Sequence, residues 1–141
     1  MHGGCVGGLS NFVNMDSTRL KQTIKLLVKA FAAWDVKKAV NASNDEATTR
    51  DFLVHPFFEL LGYQRIDDFT HEYIADVGGK RGRRVDVAIT LGQGNPQMIV
   101  ECKKVTSQLT DNHFRQLNEY IHYTPSADIG ILTNGVIYNF Y

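Results

Sequence analysis

The 141-residue chain has no apolar run that approaches the length of a membrane span, which excludes a helical membrane protein. Its first fifteen residues include Gly3-Gly4 and Gly7-Gly8 but lack the basic and apolar regions of a secretory signal. They read as a flexible leader, residues 1–15, ahead of a single domain over 16–141. Cysteine is scarce: Cys5 falls in that leader and Cys102 in an apolar run, so no disulfide framework is available. A reduced, cytoplasmic protein is expected. Excess charge is absent too, with 15 basic against 15 acidic residues, so the chain cannot coat nucleic acid by bulk charge. Any such contact has to come from a local patch. There is no internal repeat, heptad pattern or low-complexity tract. Nor is there a Gly-x-x-x-x-Gly-Lys-Ser/Thr phosphate loop, so motor chemistry is not implied.

What is present is a globular composition, 43% hydrophobic, patterned first as helix and then as strand. From Asp16, Leu20, Ile24, Leu27, Val28 and Phe31 recur at helical spacing, and the period predicts one long helix to about Val40. Asn41-Ala42-Ser43-Asn44 breaks it. Ser43-x-x-Glu46 fits a capping box for a second helix. Pro56 lacks an N–H and predicts a kink or a fresh helical turn, and Gly62 a stop. Phe69–Val77, Val85–Leu91 and Met98–Val100 read as strands, with Gly92-Gln93-Gly94-Asn95-Pro96 turning the last two into a hairpin. Thr110 or Asp111 caps a helix to about Tyr123, with Phe114, Leu117 and Ile121 facing the core. Ala127–Thr133 reads as a buried strand, Asn134-Gly135 as a turn, and Val136–Tyr141 as a last strand. Ending inside a strand, the chain has the expected form of the front piece of a longer protein.

The stretch from Arg84 to Lys103 carries the chemistry. Asp86 lies near the start of one strand of the hairpin, and Glu101 and Lys103 at the end of the other. Strand alternation puts Glu101 and Lys103 on one face and Cys102 on the opposite one. Two carboxylates and an ammonium at one edge of a sheet are costly to bury without a task, and oxygen ligands suit a hard cation.

The Asp86…Glu101-x-Lys103 arrangement resembles the PD-(D/E)xK nuclease superfamily, with Val85 where its proline often stands. The element order resembles the restriction-endonuclease-like fold, an α/β domain with an αβββαβ core. It is expected to have a central mixed sheet flanked by helices, with an extra long N-terminal helix. Glu46-Ala47-Thr48-Thr49-Arg50, Pro56-Phe57-Phe58, Leu61-Gly62-Tyr63 and Ile131-Leu132-Thr133-Asn134-Gly135 resemble one branch more closely. That branch is the N-terminal nuclease domain of type I restriction enzyme R subunits and their small prophage-encoded relatives, and the resemblance covers roughly Asp45 to the end.

The resemblance implies a Mg²⁺-dependent endodeoxyribonuclease, with Mn²⁺ as a substitute. Asp86, Glu101 and the backbone carbonyl of Cys102 would be metal ligands and Lys103 the catalytic lysine, with Glu46 a further candidate ligand. It also implies site-orienting or DNA-contacting roles for Gln116 and Tyr120, four residues apart on one helical face. The basic loop Lys80, Arg81, Arg83 and Arg84, and Lys104 after the catalytic strand, are candidate phosphate contacts. DNA is the expected partner, with a homodimer or partner restriction subunits where both strands are cut. Each assignment has a plainer rival. Asp86, Glu101 and Lys103 could form a structural ion-pair cluster, the capping box could account for Glu46, and the basic loop could be a solvated hairpin tip. His55, His71, His113 and His122 show no metal-ligand spacing and read as ordinary, and Cys102 as a small core residue. The competing function is a DNA-binding or assembly module that keeps the fold without turnover.

Overall fold

The computed structural model describes residues 17–75, 83–92 and 94–141. The expected leader, Lys80 and Arg81 lie outside the described residues.

The N-terminal helical period forms two helices rather than one: α1 (Ser17–Ala33) and α2 (Val36–Ala42). Asp35 makes the break. Its carboxylate accepts the Lys38 N–H at 2.9 Å and caps α2, an arrangement more favourable at an N-terminus than within a helix. The apolar stripe of α1 is only partly covered. Phe31 packs on Phe57, with ring centroids 5.7 Å apart, whereas Leu20, Ile24 and Val28 remain exposed.

The next cap also differs from expectation. Asp45, not Ser43, starts α3 (Glu46–Thr49), because its carboxylate accepts the Thr48 N–H at 2.7 Å while Thr48 Oγ1 accepts the Asp45 N–H. Ser43 instead donates from Oγ to the Ala39 carbonyl and closes α2. Glu46 is therefore not part of the capping box, and its carboxylate is available for other contacts.

A π-helical turn over Arg50–Val54 follows, in which the His55 N–H reaches the Arg50 carbonyl. Then comes α4 (His55–Leu60), with Pro56 in its first turn. An uninterrupted α-helix would bring the Pro56 ring against the carbonyl four residues back, and the wider turn accommodates it. A short helix that the periodicity did not reveal, α5 (Arg65–Asp68), leads into the sheet.

The sheet has five strands in chain order: β1 (Phe69–Ile74), β2 (Arg84–Ile89), β3 (Met98–Cys102), β4 (Ile129–Thr133) and β5 (Tyr138–Phe140). β1–β2, β2–β3 and β4–β5 pair antiparallel, and β3–β4 pair parallel. A parallel neighbour requires a crossover, which α6 (Asp111–His122) supplies from its Thr110 cap. The domain is thus mixed α/β, with a five-stranded mixed sheet and helices.

Alternation along the central strand divides the core between two faces. Met98, Val100 and Cys102 join Val87, Ile89 and Ile131 beneath Val54 and Phe58. Ile99 joins Leu132 beneath Leu117 and Tyr120 of α6. All five residues of β3 are buried, Glu101 among them.

The β4–β5 turn is tightly specified. Asn134 Oδ1 accepts the N–H groups of Val136 and Ile137, and Gly135 has φ +83°. A Cβ at Gly135 would sit 2.7 Å from Leu53 Cβ and 3.1 Å from Thr49 Cγ2, both on a buried and constrained helix. Gly135→Ala is expected to lower stability by about 3 kcal/mol, combining left-handed backbone strain with overpacking. A urea titration checks this, and a wild-type midpoint would show that the turn relaxes freely.

Candidate functional site

The β2–β3 ladder runs from Ile89↔Met98 to Val87↔Val100. At its end a side chain takes over from backbone pairing: Asp86 Oδ2 accepts the Cys102 N–H at 2.7 Å. This anchors the Asp86 carboxylate beside the last two residues of β3.

Glu101 follows Val100 and neighbours Leu132 across the parallel pair, on the face that α6 covers. It is 2% exposed, and its Oε1 accepts from Lys103 Nζ at 2.7 Å. Its Oε2 is buried without a hydrogen-bond partner. Lys103 Nζ also lies 3.9 Å from Glu46 Oε1, so the start of α3 delivers a second carboxylate to the same ammonium. The sequence-predicted Asp86, Glu101, Lys103 and Glu46 are brought together.

Burial and mutual repulsion dominate the electrostatics. Burial, then the Asp86 charge, pushes the Glu101 carboxyl up to about 7, against the pull of Lys103. Burial also raises Asp86, opposed by the Cys102 amide and by the charges of Lys103 and Arg50. Burial acts to lower Lys103, but the Glu101 hydrogen bond and the surrounding carboxylates outweigh it, and its ammonium is held above the usual lysine range. A carboxylate pair that resists ionisation, with one unpartnered buried oxygen, suits a hard cation. Among the described residues, no three His, Cys, Asp or Glu side chains form a ready-made metal cage.

The remaining candidates divide. Cys102 turns its thiol into the opposite core face, with its pKa raised by burial, so it is a core residue and no nucleophile. Gln116 Nε2 donates to Tyr120 Oη at 3.2 Å. Tyr120 is 3% exposed and more deeply buried than Phe114 or Ile121, so it is part of the core against the sheet. Arg83 pairs with Glu119 of α6 at 3.2 Å, while Arg84 and Lys104 are exposed.

Two features had no sequence signal read as functional. His55, 2% exposed and stacked on Phe69, has its Nε2 2.9 Å from His71 Nε2, and burial pushes its pKa down to about 4. The two histidines are sixteen positions apart on different elements, so spacing could not join them. Arg50 shares a helical face with Glu46, four residues earlier, a relation that spacing could have exposed.

Fold and site together define a mixed α/β domain with one buried and one half-buried carboxylate and a lysine at the end of its central strand. Residues 45–141 match the family of the type I restriction enzyme R protein N terminus, and the chain belongs to that family. The match begins where the resemblance in the sequence began, and leaves α1 and α2 outside it. Comparison with curated proteins returns no match, and neither does comparison with solved structures. No described helix is long and apolar enough to cross a membrane.

Proposed function

We propose that this domain is a metal-dependent deoxyribonuclease of the PD-(D/E)xK type with a restriction-endonuclease-like core. The observation that carries the reading is buried Glu101 beside half-buried Asp86, with Lys103 on Glu101, in a chain of the type I restriction R-protein family.

Asp86 and Glu101 would hold a Mg²⁺ ion, with Mn²⁺ as a substitute. The Cys102 carbonyl is a candidate third ligand, and Glu46, freed from the cap, a fourth. Bound there, the ion supplies positive charge that acidifies water and offsets charge on the phosphate.

The chain's own contribution is positional. The Cys102 N–H fixes Asp86 Oδ2, so that carboxylate is oriented before any substrate arrives. Lys103 Nζ, held at 2.7 Å from Glu101 Oε1, would neutralise negative charge on the phosphoryl oxygens or position and help deprotonate the attacking water. Gln116, tied to Tyr120 on the α6 face, is a candidate for orienting the site. Arg84 and Lys104, with Lys80, Arg81 and Arg83 nearby in sequence, are candidate backbone contacts. A double-strand break requires two such sites, from a homodimer or through partner subunits.

Incubation with supercoiled plasmid in Mg²⁺, Mn²⁺ or EDTA tests this, with Asp86→Asn as control because it keeps an acceptor for the Cys102 amide. Metal-dependent nicking that disappears in the variant is expected. DNA binding without cleavage under either metal would transfer the domain to the binding-module reading.

A further inference from the structure

Arg50 occupies a position that neither the motif nor the candidate basic loop accounts for. It follows α3 directly, and its N–H donates to the carbonyls of Ala47 and Glu46. The helix therefore continues through it and places it one turn beyond Glu46, on the same face. That face reaches the site, since Glu46 Oε1 lies 3.9 Å from Lys103 Nζ. The backbone there is firmly anchored. Thr49 is fully buried, donates from Oγ1 to the Asp45 carbonyl and accepts the Val105 N–H, two residues beyond Lys103. Arg50 thus projects from a rigid support beside the carboxylates, and its positive charge is felt at Asp86.

Its present partners are weakly held. Arg50 Nε is 3.3 Å from Asp51 Oδ1, and its Nη1 is 3.9 Å from Glu72 Oε1. Those side chains are 47% and 51% exposed, against 20% for Arg50 itself. Pairs this exposed add little to stability. Yet Glu72 adopts φ +52° within edge strand β1, a left-handed conformation that costs energy for a residue with a Cβ. Stability does not explain why such strain is kept. Lys103, by contrast, is committed to buried Glu101 at 2.7 Å. The guanidinium is a cation beside the site whose partners solvent already competes for.

We propose that Arg50 is a phosphate-backbone contact of this site, held by Asp51 and Glu72 until nucleic acid displaces those carboxylates. A planar guanidinium pairs with phosphate oxygens through two parallel hydrogen bonds, which a loosely held carboxylate cannot outcompete. This rests on the nucleic-acid part of the proposed function but not on turnover.

The test is equilibrium binding of a fluorescent mixed-sequence duplex by anisotropy in EDTA, across a series of KCl concentrations. Arg50→Gln is expected to weaken binding about tenfold and to make the salt dependence shallower by about one released ion. Glu72→Gln is expected to tighten binding about threefold by freeing the guanidinium, and Arg50→Lys to keep the wild-type salt dependence. The double variant Arg50→Gln/Glu72→Gln should behave as Arg50→Gln alone. Wild-type affinity and salt dependence in Arg50→Gln would overturn the assignment, as would a wild-type protein that does not bind the duplex. Where circular dichroism shows Arg50→Gln unfolded, Glu72→Gln decides, and unchanged affinity there rejects the proposal. Plasmid cleavage by the wild type separates the two readings. Binding that depends on Arg50 without cleavage removes the nuclease and keeps this contact, whereas cleavage indifferent to Arg50 does the reverse.

Discussion

Lys103→Ala is expected to slow metal-dependent plasmid cleavage by about a hundred- to a thousandfold, the usual cost of losing one preorganised charge at a transition state. Duplex binding should stay within about threefold of wild type, because the candidate backbone contacts are other residues. The lysine side chain is 13% exposed, and its Nζ is hydrogen-bonded to a glutamate that is 2% exposed. Removing it withdraws the ammonium from the phosphate and leaves Glu101 buried without its counterion. A second variant separates these effects. Lys103→Met keeps most of the aliphatic stem but no charge, so equal loss in both variants points to the charge. Cleavage at the wild-type rate in Lys103→Ala would reduce the lysine to a structural counterion.

Glu101→Gln is expected to stabilise the metal-free protein at about pH 8 by roughly 2 kcal/mol, while abolishing cleavage. The sign follows from proton counting. The folded carboxyl titrates at about 7, raised by burial and by Asp86, whereas the unfolded one titrates near 4.5. Between those values the folded state binds more protons than the unfolded state. On this group's account, stability is therefore highest below the unfolded pKa, falls as pH rises through the window, and is fully reduced above the folded pKa. Glutamine removes that dependence. The difference in melting temperature between variant and wild type in EDTA should grow from about pH 5 to about pH 8. It should shrink when Mg²⁺ is added, because a ligand of the folded state stabilises only the protein that can bind it. A difference that does not change with pH would mean that Glu101 ionises freely and that the carboxylate pair is not poised.

Much of this architecture was legible because it rests on short-range rules. The hairpin around Gly92–Pro96, the Thr110 start of α6 and the turn at Asn134-Gly135 each follow from local backbone chemistry. The alternation that set Cys102 apart from Glu101 and Lys103 holds because a strand has a strict period of two. The errors arose where two local signals competed. Ser43 and Asp45 can both cap, and the stronger acceptor, placed three residues before Thr48, prevailed. The long N-terminal period concealed Asp35 because a polar residue on an exposed face does not disturb an apolar stripe. Contacts across elements were out of reach altogether. Nothing in the spacing joins His55 to His71, and the burial of Tyr120 depends on how α6 lies on β3 and β4.

The bond between Asp86 Oδ2 and the Cys102 amide makes one side chain part of the weave of the sheet. Where β2 and β3 part, a carboxylate replaces a carbonyl as the stitch. The seam therefore carries a charge that no backbone group could carry, and it can be altered by exchanging a single residue. Alanine at 86 removes stitch and charge together, whereas asparagine keeps an acceptor and removes only the charge. Whatever acts on that carboxylate also acts on the seam, so occupancy of the site and closure of the two strands answer to the same atom.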